Sequence, residues 1–369
     1  MVALSQRWRV DMDLRRKAYG GLMRREDLDG IIVTHLPDIR YLCGFSGSSG
    51  MVLLTQRGKG YFFTDFRYRE QSALEVYGVR PVVYETSPEE AAARVLRRHH
   101  TLKLGFDPAY LSYAGVLSLR RHIKDHASLI PLKGSLMALR ARKSGGELQI
   151  IRQGIELAET AFVKALGEMD AGTTEADLAA SIDTAARRAG AEAPSFETIV
   201  AAGPRGALVH ASPSGRRLRG PAVVDWGVVY KGYCTDTTRT VAFGRVPQEL
   251  RKAHRLVLEA QEKALERVRP GVKARDVDRA AREVIEKAGY GAAFGHGFGH
   301  GVGLEIHERP YVGKTGGDII EEGMVFTAEP GIYLPGKGGV RVEDMLLVTA
   351  DGAEYLTTLP RSLDPGDYL

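Results

Sequence analysis

Cysteine is nearly missing: Cys43 and Cys234 are the only two in 369 residues. They make no disulfide framework and no CxxC pair, which suits a reducing compartment. Long apolar runs are missing as well, and none approaches the ~18 residues a membrane span needs. The opening MVALSQRWRVDMDLRRKAYG lacks the apolar core of a signal peptide. Nor is there an excess of one charge. The net charge is +5, and basic clusters such as Arg97–Arg98 and Arg216–Arg217 are small and scattered. Such clusters read as solvated surface, which argues against a nucleic-acid partner. A soluble, cytoplasmic protein without membrane association is expected, long enough for two domains with a well-buried core.

Three catalytic signatures are also missing. In GFSGSSG (Gly44–Gly50) no serine has glycine at both flanking second positions, so GxSxG is not matched; a turn between strands is expected there. In GHGFGHGVG, from Gly295, every candidate start of GxGxxG fails at the third glycine, and LEIHERP begins no helix. That argues against a dinucleotide cradle. His296 and His300 are four apart, as in HExxH, but each glycine around them would cost a helix about 1 kcal/mol. A strand is expected instead, with both imidazoles on one face.

What is present divides the chain. Up to residue 137, the β-rich runs LDGIIVTHL, GMVLLT, GYFFTD and RPVVYE alternate with helical LRRKAYGGLMRRE and EEAAARVLRRHH, which implies an α/β domain. Ser144 and Glu147 then form a capping-box pattern. Leu148, Ile151, Ile155, Ala158, Phe162 and Leu166 follow on one helical face. The second domain is therefore placed at 138–369. Within it, Gly172, Asp177, Ala189 and Gly190 recur 99 positions later as Gly271, Asp276, Ala288 and Gly289. Each copy is preceded by a long amphipathic helix and followed by a hairpin-like segment. A duplicated, pseudo-symmetric α+β domain with a cleft between its halves is expected.

The two hairpins carry carboxylates in matching places: Asp225 and Asp236 in the first, Glu329 and Glu343 in the second. Asp225 in AVVDWGVVY and Glu329 in MVFTAEPGIY interrupt apolar runs, where an ion is costly to bury without a cation. Four anions brought into one cleft need one or two dications to neutralise them. Carboxylates with one imidazole suit Mn²⁺, Co²⁺ or Zn²⁺.

AVVDWG, YCTDTTRT, HGFGHGVGLEIHE, TAEPGIY and GVRVED resemble, in order and spacing, the five ligand motifs of the pita-bread metallopeptidases. That superfamily includes aminopeptidase P, prolidase (Xaa-Pro dipeptidase) and methionine aminopeptidase. The resemblance spans roughly residues 140–350, and RYLCGFSGSSG is similar to the creatinase/prolidase-type N-terminal domain. The resemblance implies a pita-bread catalytic domain and two divalent ions, Mn²⁺ foremost. By motif, the ligands are Asp225, Asp236, His300, Glu329 and Glu343, with Asp236 and Glu343 bridging. It also implies that Glu329 passes a proton to the leaving amine, while His210 and His307 stabilise the oxyanion. Arg341, two residues before Glu343, would orient a ligand carboxylate. His296 is not a ligand in this reading; it packs or supports a ligand.

The activity implied is hydrolysis of the bond between an N-terminal residue and proline, by a homodimer. Methionine aminopeptidase is the nearest alternative, and a non-catalytic binding module on the same fold a more distant one. In HERPYV, Tyr311 stands where the prolidase pattern has arginine, with Arg309 two residues earlier. Only a guanidinium matches a dipeptide's carboxylate bidentately. Unless Arg309 substitutes, peptides longer than a dipeptide should be accepted, as by aminopeptidase P.

Overall fold

The computed structural model describes residues 6–97 and 102–369; Arg98 lies outside them. The chain forms two compact units, Met1–Arg140 and Ala141–Leu369.

The first unit is built on a mixed six-stranded sheet, in the order Arg80–Val83, Gly60–Thr64, Met51–Thr55, Gly30–Val33, Leu102–Phe106 and Ala127–Pro131. Gly30–Val33 and Met51–Thr55 are buried along their whole length, which is why they read as unbroken apolar runs rather than alternating ones. Four strands coincide with the runs read from sequence; Leu102–Phe106 and Ala127–Pro131 do not appear among them. GFSGSSG is not a turn between strands. It follows a short helix, Leu36–Cys43, that ends on Gly44 in the left-handed region at φ 84°. The helix is hard to see because LPDIRYLC is a single proline-opened segment following an apolar strand. The expected division at 137/138 also falls inside a 3-10 turn, Leu136–Arg140. Arg140 is paired at 2.9 Å with the fully buried Asp38, which keeps that turn in the first unit.

The second unit holds the repeat as structure. In one half, helices Gly145–Gly167 and Glu175–Ala189 precede a sheet of Ile199–Ala202, Gly220–Trp226 and Thr237–Phe243. In the other, Gln248–Leu265 and Ala274–Lys287 precede a sheet ordered Glu308–Val312, Gly299–Gly301, Val325–Ala328, Asp344–Val348 and Ala353–Tyr355. A hairpin of Gly331–Leu334 and Gly338–Arg341 completes this half. The halves even repeat an isolated bridge: Thr174 with Arg217, and Lys273 with Ile319. Their helix caps have diverged. Thr174 and Asp177 close a full capping box, whereas Lys273 caps nothing with its side chain and Asp276 turns to Arg279 at 3.0 Å. The capping box at Ser144 and Glu147 is fully formed. Each half has its own core. Phe162 stacks on Trp226 at 4.1 Å in the first, and Val257, Val277, Phe298 and Phe326 are buried together in the second.

The glycine-histidine stretch is strand only over Gly299–Gly301; Gly295–Phe298 is irregular. The glycines are there because backbones pass at contact. A Cβ on Gly299 would lie 1.8 Å from the Thr327 carbonyl oxygen, and one on Gly301 would lie 2.1 Å from that of Arg309. His296 and His300 therefore do not share a strand face. Among the described residues, no helix is long and apolar enough to cross a membrane.

Candidate metal centre and active site

Strand ends deliver the carboxylates. Asp225 lies on Gly220–Trp226, opposite Ile199 on one side and Thr238 on the other. Asp236 immediately precedes Thr237–Phe243. Glu329 immediately follows Val325–Ala328, and Glu343 immediately precedes Asp344–Val348; the pairing of Ala328 with Asp344 puts these two side by side. The halves are then tied together at the site. The Glu343 N–H donates to the Thr238 carbonyl at 3.0 Å, and the Thr238 hydroxyl donates to Glu343 Oε2 at 2.7 Å. Arg239, fully buried, donates to the Glu343 carbonyl at 2.6 Å and to Asp344 Oδ1 at 2.7 Å.

All five sequence-identified donors line one cavity of about 470 Å³, as do His210, His296, His307 and Arg341. Donor atoms of Asp236, His300 and Glu343 lie within 4.8 Å of one another. His300 Nε2 is 3.6 Å from Asp236 Oδ2 and 3.5 Å from Glu329 Oε1. Its Nδ1 faces the Gly301 carbonyl at 3.1 Å. A carbonyl only accepts, so Nδ1 carries the proton and the Nε2 lone pair faces the carboxylates. Burial and the neighbouring His307 hold the His300 pKa down at about 4, so the ring is neutral at pH 7.

The carboxyls show the opposite displacement. Burial, then Glu343 and its neighbours, push Asp236 well above the usual range; burial and Glu329 do the same to Glu343. Burial lifts Glu329 to about 8 although Arg341 opposes it. Asp225 Oδ2 accepts from Arg341 Nη2 at 2.7 Å, while its Oδ1 is buried without a hydrogen-bond partner. An orphaned carboxylate oxygen, crowded anions and a neutral imidazole lone pair are what a divalent cation satisfies at once. The residues fit metal ions.

Arg341 holds more than Asp225. Its Nε donates to the Thr238 hydroxyl at 3.0 Å and its Nη1 to Tyr333 Oη at 2.8 Å. Tyr333 in turn stands 3.0 Å from His296 Nε2, whose ring donates from Nδ1 to the Gly297 carbonyl at 2.8 Å. His296 thus ends a chain that runs through Tyr333 and Arg341 to Asp225. Sequence reasoning singled out none of Tyr333, Thr238, Arg239 and Asp344, all of which hold the candidate ligands or their strands. Their one signal was position inside the motifs that carry those candidates.

The remaining named residues separate. His210 and His307 are exposed on the cavity wall, and His307 meets the His300 ring edge-on at 4.3 Å between centroids. Phe196, Ile199, Val209 and Ile306 add an apolar wall, and Glu197 an acidic group, none of them singled out from sequence. Arg309 and Tyr311 do not line the cavity. Arg309 is paired with Asp318, and its guanidinium lies 5.6 Å from the Tyr311 ring centroid.

Residues 149–350 match metallopeptidase family M24, and residues 15–142 match the creatinase/prolidase N-terminal domain. An Xaa-Pro dipeptidase of Pyrococcus horikoshii is 34% identical over 347 residues, covering 92% of this chain and 96% of its own. The structure of an Xaa-Pro dipeptidase from Bacillus anthracis superposes with a TM-score of 0.90 at 34% identity, over 96% of this chain and 99% of that one. That of an X-Pro aminopeptidase from Thermotoga maritima gives 0.84 at 35% identity, over 92% and 98%. With both matches spanning nearly the whole chain and the donors converging as described, the chain belongs to metallopeptidase family M24, with a creatinase/prolidase domain ahead of its catalytic unit.

Proposed function

We propose that this metallopeptidase removes an N-terminal residue from peptides with proline in second place, using two divalent ions. The observation that carries the reading is the meeting of Asp225, Asp236, His300, Glu329 and Glu343 in one cavity beside an apolar wall and two exposed histidines. Asp225, Asp236, His300, Glu329 and Glu343 would hold the ions, Asp236 and Glu343 contributing to both positions. Ions bound there, Mn²⁺ ahead of Co²⁺ or Zn²⁺, would polarise the scissile carbonyl and make water acidic enough to attack near neutral pH.

The chain's own groups supply the rest. Glu329 takes the proton of the attacking water on its carboxylate and delivers it to the departing proline nitrogen. One side of His307 is open to solvent, but partial burial against the cavity wall, and then His210, hold it below its ordinary pKa, so at pH 7 its ring is a neutral N–H donor. His307 and His210 donate to the carbonyl oxygen as negative charge grows on it. Phe196, Ile199, Val209 and Ile306 give the pyrrolidine ring an apolar surface. Arg341 holds Asp225 by one oxygen and leaves the other to a metal.

Chelation should abolish cleavage of an Xaa-Pro peptide, and Mn²⁺ or Co²⁺ should restore it. Activity of the fully metal-free protein would sink the assignment, and faster cleavage of Met-Ala peptides would move it to methionine aminopeptidase. Substrate length is a finer matter. Among the described residues lining the cavity, Arg341 is the one guanidinium and Asp225 already engages it, so a dipeptide's carboxylate meets no arginine fork there. Tripeptides and longer substrates are therefore expected to be cleaved at least as well as dipeptides. A dipeptidase is the second reading, favoured by the similarity to Xaa-Pro dipeptidases of Pyrococcus and Bacillus. A preference for the dipeptide of about tenfold or more in kcat/KM, roughly 1.4 kcal/mol, would decide for it. The assembly proposed is a homodimer; light scattering at twice the chain mass is expected, and a monomeric mass would overturn it.

A further inference from the structure

Directly after the cavity-lining His307 the chain enters a buried ion pair that none of the roles above uses. Lys143 Nζ donates to Glu308 Oε2 at 2.7 Å, and both side chains are almost wholly excluded from solvent, at 1% and 0% exposure. The lysine comes from a short extended segment whose own N–H donates to the Gly323 carbonyl at 2.7 Å. The glutamate opens the strand Glu308–Val312, directly after His307.

The turn from Gly303 to His307 is folded over that carboxylate. Glu308 Oε1 accepts the Glu305 N–H at 3.2 Å, and the Gly303 N–H donates to the Glu305 carbonyl at 3.0 Å. A Cβ on Gly303 would lie 2.4 Å from Glu308 Oε2, so the turn rests against the carboxyl group itself. The Gly303 carbonyl then accepts the Cys234 N–H at 2.7 Å, which fixes the turn to the segment just ahead of Asp236. From this turn Ile306 and His307 project into the cavity.

We propose that Lys143 and Glu308 are positioning residues: their ion pair sets the turn that presses the His307 ring against His300 and aims it into the active site. A charged carboxylate is needed because it must accept both from the turn and from the ammonium. The lysine is needed because an unpaired buried carboxylate would be strongly unfavourable. The inference rests on the reading of His307 as a donor to the substrate carbonyl.

The test is a cycle in the full chain with Glu308→Gln, His307→Ala and the double variant, alongside Lys143→Met and Lys143→Arg. Glu308→Gln and Lys143→Met should each lower kcat about tenfold or more, with KM and bound metal little changed. Added to His307→Ala, Glu308→Gln should cost no more than about threefold further, since both act through one imidazole. Lys143→Arg should recover most of the rate. A second readout needs no turnover. In metal-free protein with protonated histidines on a deuterated background, ring-to-ring cross-relaxation between His300 and His307 should be lost in Glu308→Gln. Independent, multiplying losses in the cycle, or a ring contact that persists in Glu308→Gln, would overturn the proposal. Should the wild type cleave no Xaa-Pro peptide, the proposed function has failed, and the ring contact still decides the positioning role. If a single variant unfolds, the Lys143→Met, Glu308→Gln pair removes both charges together, and its ring contact decides in the same way.

Discussion

Removing the metal should make the fold weaken as pH rises, over a window set by the proposed ligands themselves. In metal-free protein Glu329 is raised from 4.5 to about 8, and Asp236 and Glu343 are also raised, all with burial as the largest cause. The folded chain therefore keeps protons that the unfolded chain has lost. A carboxyl with a raised folded pKa stabilises fully below its unfolded pKa, and that stability disappears as pH climbs through the folded value. The imidazoles of His296 and His300 work the other way. Both are lowered from 6.5 to about 4, so their contribution grows with pH until the unfolded ring, half-protonated at 6.5, has lost its proton by about pH 7.5. Between pH 6.5 and 8 the carboxyls lose more than the imidazoles return, which is only about 0.4 kcal/mol each as the unfolded ring gives up its remaining half proton. One proton retained across those roughly 1.5 pH units is worth about 2 kcal/mol. For a domain of this size that is a fall in Tm of about 4–8 °C. A bound dication displaces the protons, so the loaded protein should show little change over the same window. Thermal unfolding of chelated and Mn²⁺-loaded samples at pH 6.5 and 8.0 makes the comparison. A chelated sample whose Tm stays level or rises with pH would refute the account.

Three substitutions probe the same site. Arg341→Met takes the partner from Asp225 Oδ2 and should weaken metal binding by about 10–100-fold, read by metal titration; unchanged affinity would show that the arginine does not orient this ligand. Asp236→Ala should lose metal and hydrolysis while the far-ultraviolet circular dichroism persists; retained hydrolysis would remove Asp236 from the ligand set. Gly299→Ala would place a methyl 1.8 Å from the Thr327 carbonyl, so the strand must separate and His300 must move; a variant with native Tm and native metal affinity would contradict the packing.

How much of this could be read from sequence depends on whether a residue is costly where it sits. Asp225 and Glu329 stand out because each is an acid inside an apolar run. The repeat stands out because its helix boundaries keep one spacing. Arg239 gave no such signal. Nothing in TDTTRT marks it as interior, yet it is fully buried between the halves, held by Asp344 and by the carbonyls of Thr238, Glu343, Leu359 and Pro360. Asp344 was hidden behind its neighbour Glu343, and Tyr333 behind an ordinary strand pattern. Arg309 misled in the other direction: its position suggested a clamp, but Asp318 holds it outside the cavity. The strand proposed for Gly295–Gly301 was half right, because alternation of glycine records close backbone packing as well as extension. Local patterns point to the proposed ligands, whereas the contacts that hold them, Arg341 to Asp225 and Thr238 to Glu343, join motifs more than a hundred residues apart and leave no local trace.

The seam between the halves has a kinetic meaning. Thr238 and Glu343 stand 105 residues apart in the chain, and their hydrogen bonds close the proposed metal site. Contacts of such separation form late, after the local helix pairs of each half have gathered their own cores. Interactions absent from the folding transition state act almost wholly on the unfolding rate. Metal should accordingly leave the refolding rate nearly untouched and lengthen the lifetime of the native enzyme, so a cell that runs short of the ion would lose this protein by faster unraveling rather than by slower making.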